Sequence, residues 1–155
     1  MATRTSRVWD CWQALYELIV SVHGTGLQIE FGDPGEDVQY EVIAVTGVIE
    51  GPDNSQLWAT MGQRARDETF GLQVVFVAGV QGQSSLEARD RLRELMDPVE
   101  AEIRTMVGQQ PAQGVQLGVD GVVYAEVARV SPTVQMGDEG FVGYGEMTVL
   151  VKARI

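Results

Sequence analysis

The chain is poor in the residues that carry most enzymatic chemistry. It holds one cysteine, Cys11, one histidine, His23, and a single lysine, Lys152. A lone cysteine excludes an intrachain disulfide and leaves the redox compartment unreadable. A Cys/His zinc site needs about four ligands. A P-loop needs a lysine after its last glycine, and a Ser-His-Asp triad would have only His23 to use. No apolar run approaches the roughly eighteen residues of a membrane span. The first apolar stretch follows Arg4 and Arg7 but contains Asp10, Gln13 and Glu17, so it does not read as a signal peptide.

Positive charge is also scarce. Eleven basic residues face 22 acidic ones, for a net charge of −11. Phosphate binding is built from clustered Lys and Arg, so free DNA or RNA is a poor fit as a ligand. The imbalance is uneven along the chain. Residues 8–63 contain Asp10, Glu17, Glu30, Asp33, Glu36, Asp37, Glu41, Glu50 and Asp53 and no Lys or Arg. Such segregation suits a protein that meets a partner in a fixed orientation; an acidic surface that keeps the chain soluble is the plainer alternative.

What is present is an ordinary globular composition. The 155 residues are 45% hydrophobic and 21% charged, enough for one domain over 1–155 with a real core. Residues 7–23 have an amphipathic helical pattern, with Val8, Trp12, Leu15, Ile19 and Val22 on one stripe, Thr5 or Ser6 as cap and Gly24 as stop. Residues 27–31 and 40–49 alternate as strands. In the second, Val42, Ala44, Thr46 and Val48 share one face, and Ile43, Val45 and Ile49 the other. Residues 50–66 form an irregular connection in which Leu57, Trp58 and Met61 allow a short helical turn. A strand over 69–78 follows.

A second helix opens on the capping box Ser84…Glu87 and buries Leu86, Leu92, Leu95, Met96, Val99, Ile103 and Met106. Asp97-Pro98-Val99-Glu100 has the form of a fresh N-terminus, which predicts a kink or two abutting helices. The remainder reads as β: a weak strand at 115–119, a long one at 122–130, a glycine-rich loop at 131–145 with room for a short hairpin, and a closing strand at 146–155. The expected fold class is α+β, with two principal helices packed on a mainly antiparallel or mixed sheet.

Each candidate for chemistry has a simpler structural explanation. Cys11 lacks an activating base and has Asp10 beside it, so it reads as a packed structural thiol. His23 at a helix C-terminus complements the helix dipole. The glycine-rich stretches 79–82 and 137–145 lack the endings of phosphate loops. Asp33, Glu36 and Asp37 could hold a cation through oxygen ligands, but their spacing is not that of an EF-hand and a solvated acidic loop explains them. Arg64, Arg66, Asp67 and Glu68 form a charged cluster before a strand, read either as solvated pairs or as an intersubunit salt bridge. No catalytic residue, cofactor or metal site is expected.

Leu57-Trp58-Ala59-Thr60-Met61-Gly62 and Arg66-Asp67-Glu68-Thr69-Phe70, followed by Ala88-Arg89-Asp90-Arg91, Val99-Glu100-Ala101 and the closing Met147-Thr148-Val149-Leu150-Val151-Lys152-Ala153-Arg154-Ile155, resemble the tail terminator proteins of actinobacterial siphophages. The opening Ala14-Leu15-Tyr16-Glu17-Leu18-Ile19 fits the same family. The resemblance implies a virion protein, assembled in the host cytoplasm, that forms a homo-hexameric ring at the head-proximal end of the tail. The ring would stop tail tube polymerisation and dock to the head-tail connector protein, with DNA passing through unbound. The expected subunit or partner interface comprises Trp58, Arg64, Arg66, Asp67, Glu68, Asp33, Glu36, Asp37, Asp138 and Glu139, the last two in the 131–145 loop. A head completion or connector protein and a tail tube subunit are the neighbouring alternatives. A small enzyme is the alternative from another class, and scarce His, Lys and Cys argue against it.

Overall fold

A computed structural model describes residues 7–24, 27–32, 41–49, 57–60, 63–79, 84–108, 115–117, 119–137 and 140–154, with side chains left out at 31, 49, 57–60, 63–67, 106–108, 115–116, 120, 123 and 154. Two helices and one main sheet account for most of it. Helix α1 spans Val8–His23 and α2 spans Ser85–Gly108. Strands β1 (Gln28–Phe31), β2 (Glu41–Ile49), β3 (Leu57–Thr60) and β4 (Gln63–Gly79) precede α2. Strands β5 (Val115–Gln116), β6 (Val119–Asp120), β7 (Val122–Gly137) and β8 (Gly140–Arg154) follow it.

The main sheet runs β1-β2-β4-β8-β7, with β3 added to β4. Among the described residues only β1 and β2 are parallel, and every other pair is antiparallel. The α+β class with a mixed sheet is therefore the observed one. Both helices lie on one face. Alternation along the strands sends Phe70, Leu72, Val74, Phe76, Met147, Val149 and Val151 into the same core as Leu15, Ile19, Leu92, Leu95, Val99 and Ile103. The other face carries the alternate residues.

Local chemistry explains most boundaries. Ser84 caps α2 by accepting the Glu87 N–H at 3.2 Å, as the capping box predicts. One helix runs through Pro98 without a break; its carboxylates and arginines form i,i+3 and i,i+4 pairs on the exposed side, Arg91–Glu94, Arg93–Asp97 and Arg104–Glu100. Leu86, read as part of the buried stripe, is instead 55% exposed. It lies in the first turn of α2, just before the helix settles on the sheet at Ala88.

Three sequence expectations change. The short helical turn expected from Leu57, Trp58 and Met61 is not found at 57–60, where β3 pairs antiparallel with the start of β4, Leu57 opposite Asp67 and Thr60 opposite Gln63; Met61 lies outside the described residues. The glycine-rich 131–145 segment is not a loop either. It supplies the second half of β7 and the first half of β8, paired from Ser131–Glu146 out to Gly137–Gly140. Its glycines are there for packing as well as turning: a Cβ at Gly143 would lie 2.9 Å from the Ala88 carbonyl, and one at Gly145 2.5 Å from the Met96 sulfur. Their absence lets α2 settle onto β8. The weak strand at 115–119 is a minimal β5–β6 hairpin whose Leu117 and Val119 are buried.

A register shift between Val45 and Gly47 also breaks the expected alternation in β2. The extra residue places Val48 opposite Leu72, on the helical side, instead of with Val42 and Ala44. Gly47 takes φ +133°, a conformation a side chain resists, and the Trp12 ring lies 3.4 Å from where a Cβ would stand. The Trp12 indole N–H donates to the Val45 carbonyl at 2.9 Å, so α1 is fastened to the bulge.

Candidate functional site

The start of α1 and the middle of β4 meet at a small group of polar side chains. The helix begins at Arg7 with no side-chain cap of its own. Its Arg7 backbone N–H instead donates to the Glu68 carboxylate at 3.1 Å, across 61 residues of chain. A carboxylate there meets an orphan N–H and the positive end of the helix dipole. Glu68, grouped from the sequence with an exposed charged cluster, is 7% exposed and points into the helical side of the sheet opposite Ala153. The cap expected from Thr5 or Ser6 lies outside the described residues.

Cys11 sits one turn into α1, fully buried. Burial, with Asp10 and Glu68 adding negative charge nearby, pushes its thiol up to about 12. A thiol held protonated at neutral pH is a poor nucleophile. At the other end of the helix, His23 Nε2 lies 2.8 Å from the Leu95 carbonyl, joining α1 to α2. Its place at the last turn of α1 is the one expected, and the ring also ties the two helices.

Among the described residues no group of three His, Cys, Asp or Glu side chains converges as a metal site. No described helix is long and apolar enough to cross a membrane. A shallow groove on α2 is lined by Asp90, Arg93, Glu94, Asp97 and Pro98. Its charges are engaged with neighbours: Arg89 with Asp90, Arg91 with Glu94 and Arg93 with Asp97. Arg91 also pairs with Glu41 at 2.7 Å, and these two carboxylates raise the guanidinium above its ordinary value. Arginines matched in this way present no unneutralised stripe for a phosphate backbone.

The geometry that stands out is at the sheet margins. Strand β8 ends against β4 at Arg154–Asp67, and β2 pairs with β4 no further than Ile49–Gly71. Beyond that point β4 is accompanied only by β3, among the described residues. The β3–β4 hairpin thus projects roughly 13 Å past the body of the sheet, four residue steps of extended chain. Trp58, Arg64, Arg66 and Asp67 all lie on this arm. The sequence grouped them for charge and aromatic content; the fold makes them one projecting element. Glu68 marks its root. Trp9, 68% exposed and stacked on Trp12 with ring centroids 5.9 Å apart, stands in the first turn of α1 near that root. Asp33, Glu36, Asp37, Asp138 and Glu139 lie outside the described residues.

At the opposite margin β7 is an edge strand with one side unpaired among the described residues. Its residues 130–137 carry no charge. Alternation alone did not reveal this edge, because the run of Pro132, Gly137 and Gly140 hid the strand.

The described residues therefore form an α+β fold, a helical layer on a mixed main sheet, with the β3–β4 hairpin projecting on the β2 side of β4 and β7 as an edge strand on the β8 side. No protein-family model matches the chain, and no curated protein matches it. A solved chain from the virion of a native gene transfer agent particle is similar in fold: TM-score 0.55, covering 97% of this chain and 100% of that one, at 9% sequence identity. At that identity the likeness is one of fold.

Proposed function

We propose that this protein is a structural component of a phage-type virion, and within the virion a tail terminator: a subunit of a hexameric ring at the head-proximal end of the tail tube. The observation that carries the reading is the architecture itself, a helix-backed sheet with a hairpin arm projecting on the β2 side of β4 and β7 as an edge strand on the β8 side. A two-stranded arm is marginal on its own and gains its stability from what it lies against. Head-to-tail contacts of that kind close into rings when their rotation closes. The fold it shares with a chain of the gene transfer agent virion supports the coarser part of this reading. The sequence resemblance to tail terminators supports the finer part.

On this reading the protein works by shape and charge and breaks no bonds. Copies of itself, the tail tube protein and the head-tail connector are its partners. DNA traverses the ring without a binding site, consistent with paired arginines and a net charge of −11. Like charge on ring and phosphates disfavours adhesion. The test is electron microscopy of virions labelled for this protein, together with particles assembled without it. Label confined to the head-tail junction, and tails of uncontrolled length in its absence, are expected. Label along the whole tail, or normal tails without the protein, would reject the terminator role.

A further inference from the structure

Two strands with an open side among the described residues, β3 and the second half of β7, carry no charge. Strand β3 reads Leu57, Trp58, Ala59, Thr60, and residues 130–137 of β7 read Val, Ser, Pro, Thr, Val, Gln, Met, Gly. Neither contains an ionisable side chain, in a chain with 33 charged residues among 155. Two copies of a protein of net charge −11 repel wherever acidic surfaces face each other. These strands are places where copies can come together without that opposition.

They also lie on opposite sides of β4. β7 ends the sheet on the β8 side of β4, and β3 sits on the β2 side. A contact from one of these strands to the other repeats in a single direction, which is what a head-to-tail ring requires; a contact of β7 with another β7 would stop at a dimer. Edge strands offer unpaired N–H and C=O groups that a further strand can take up.

The side chains of β7 point the same way. Val130, Pro132, Val134 and Met136 stand opposite Met147, Gly145, Gly143 and Phe141, and so form an apolar row on the helical side. Helix α2 settles over β8 at Gly143 and Gly145 and leaves the row's outer members open: Val130 is 39% exposed and Met136 77%. Pro132 denies a donor to any added strand, which divides the edge. Beyond it, 133–137 gives five residues, a match for the four of β3.

We infer that the β7 edge at 133–137 accepts strand β3 of a second copy of this chain, continuing the sheet from subunit to subunit. The inference deepens the ring reading and rests on it for the meaning of the joint, but its test does not need a phage. Ala59→Cys is made in one preparation, and Val134→Cys or Gln135→Cys in another, so that both faces of β7 are sampled. Cys11 is fully buried and does not compete. Disulfide formation demands Cα atoms within about 7 Å, so only true neighbours bridge. Oxidised mixtures are expected to give dimers holding one chain of each kind, and the doubly substituted chain to give a ladder. Dimers formed by Val134→Cys or Gln135→Cys alone in preference to mixed ones would overturn the inference, as would no bridging in any mixture.

A second variant, Met136→Lys, changes an exposed residue within 133–137 and should keep the circular dichroism spectrum. In the cysteine background it should cut bridging about tenfold, by placing charge and desolvation cost at the joint. Undiminished bridging in the folded variant would count against the edge. A ladder that forms while virion tails develop normally without the protein would leave the joint standing and sink the terminator role. Terminator activity in virions with no bridging would do the reverse.

Discussion

Glu68 and Cys11 lie within one turn of each other along α1's contact with β4, and their environments set different sensitivities. Glu68→Ala should destabilise the fold by about 1–2 kcal/mol, because it leaves the Arg7 N–H without its carboxylate and removes a favourable charge at the helix N-terminus. A thermal melt reads this; Glu68→Gln, which keeps an acceptor, should lose less. Cys11 should resist thiol reagents in the folded protein and react on unfolding. Its folded value of about 12 lies above the ordinary 9.0 of the unfolded thiol. The unfolded state therefore releases this proton first as pH rises. The Cys11 contribution should leave stability flat below pH 9 and reduce it between about 9 and 12, and Cys11→Ser should flatten that part of the curve in urea titrations.

At the scale of elements, the decisive contact is α2 on β8. Leu95→Ala should cost about 2–5 kcal/mol, since Leu95 is 1% exposed within the core. Gly143→Ala should cost about 1–3 kcal/mol, because the new methyl meets the Ala88 backbone carbonyl, which moves only with the whole helix. Gly145→Ala should cost less, since its first obstacle is the flexible Met96 thioether. The reverse order in denaturant melts would show that α2 is not held where these glycines place it. The helices themselves were readable: the stripe from Leu92 to Ile103 and the Ser84 cap are local signals. The strand through Ser131–Gly145 was not, because glycine and proline there report on a neighbouring helix and on a sheet edge, which sequence spacing does not record.

At the scale of the whole molecule, the arm and the opposite edge set the behaviour. Replacing Arg64 and Arg66 by Glu, on the projecting hairpin, should leave the melting temperature within a few degrees of the parent and weaken assembly into the tail. Sedimentation of the purified protein and tail length in micrographs are the measurements; normal tails would remove these arginines from the interface. The candidate site was half legible. The sequence grouped the run from Trp58 to Glu68 by charge and aromatic content, and the fold places that run on the β3–β4 hairpin and its root. Its shape and the separate fate of Glu68 were not visible, because pairing register is a long-range property: Glu68 faces inward only because it stands opposite Ala153 and beneath Arg7. The sequence by itself determined the fold class, the amphipathic faces of both helices and the acidic, chemically sparse surface, since these follow from periodicity and composition within a few residues. Tertiary structure alone decided which strands end the sheet, where the bulge at Val45–Gly47 turns Val48 to the helical side, and which charges are buried, since these depend on residues brought together from distant parts of the chain.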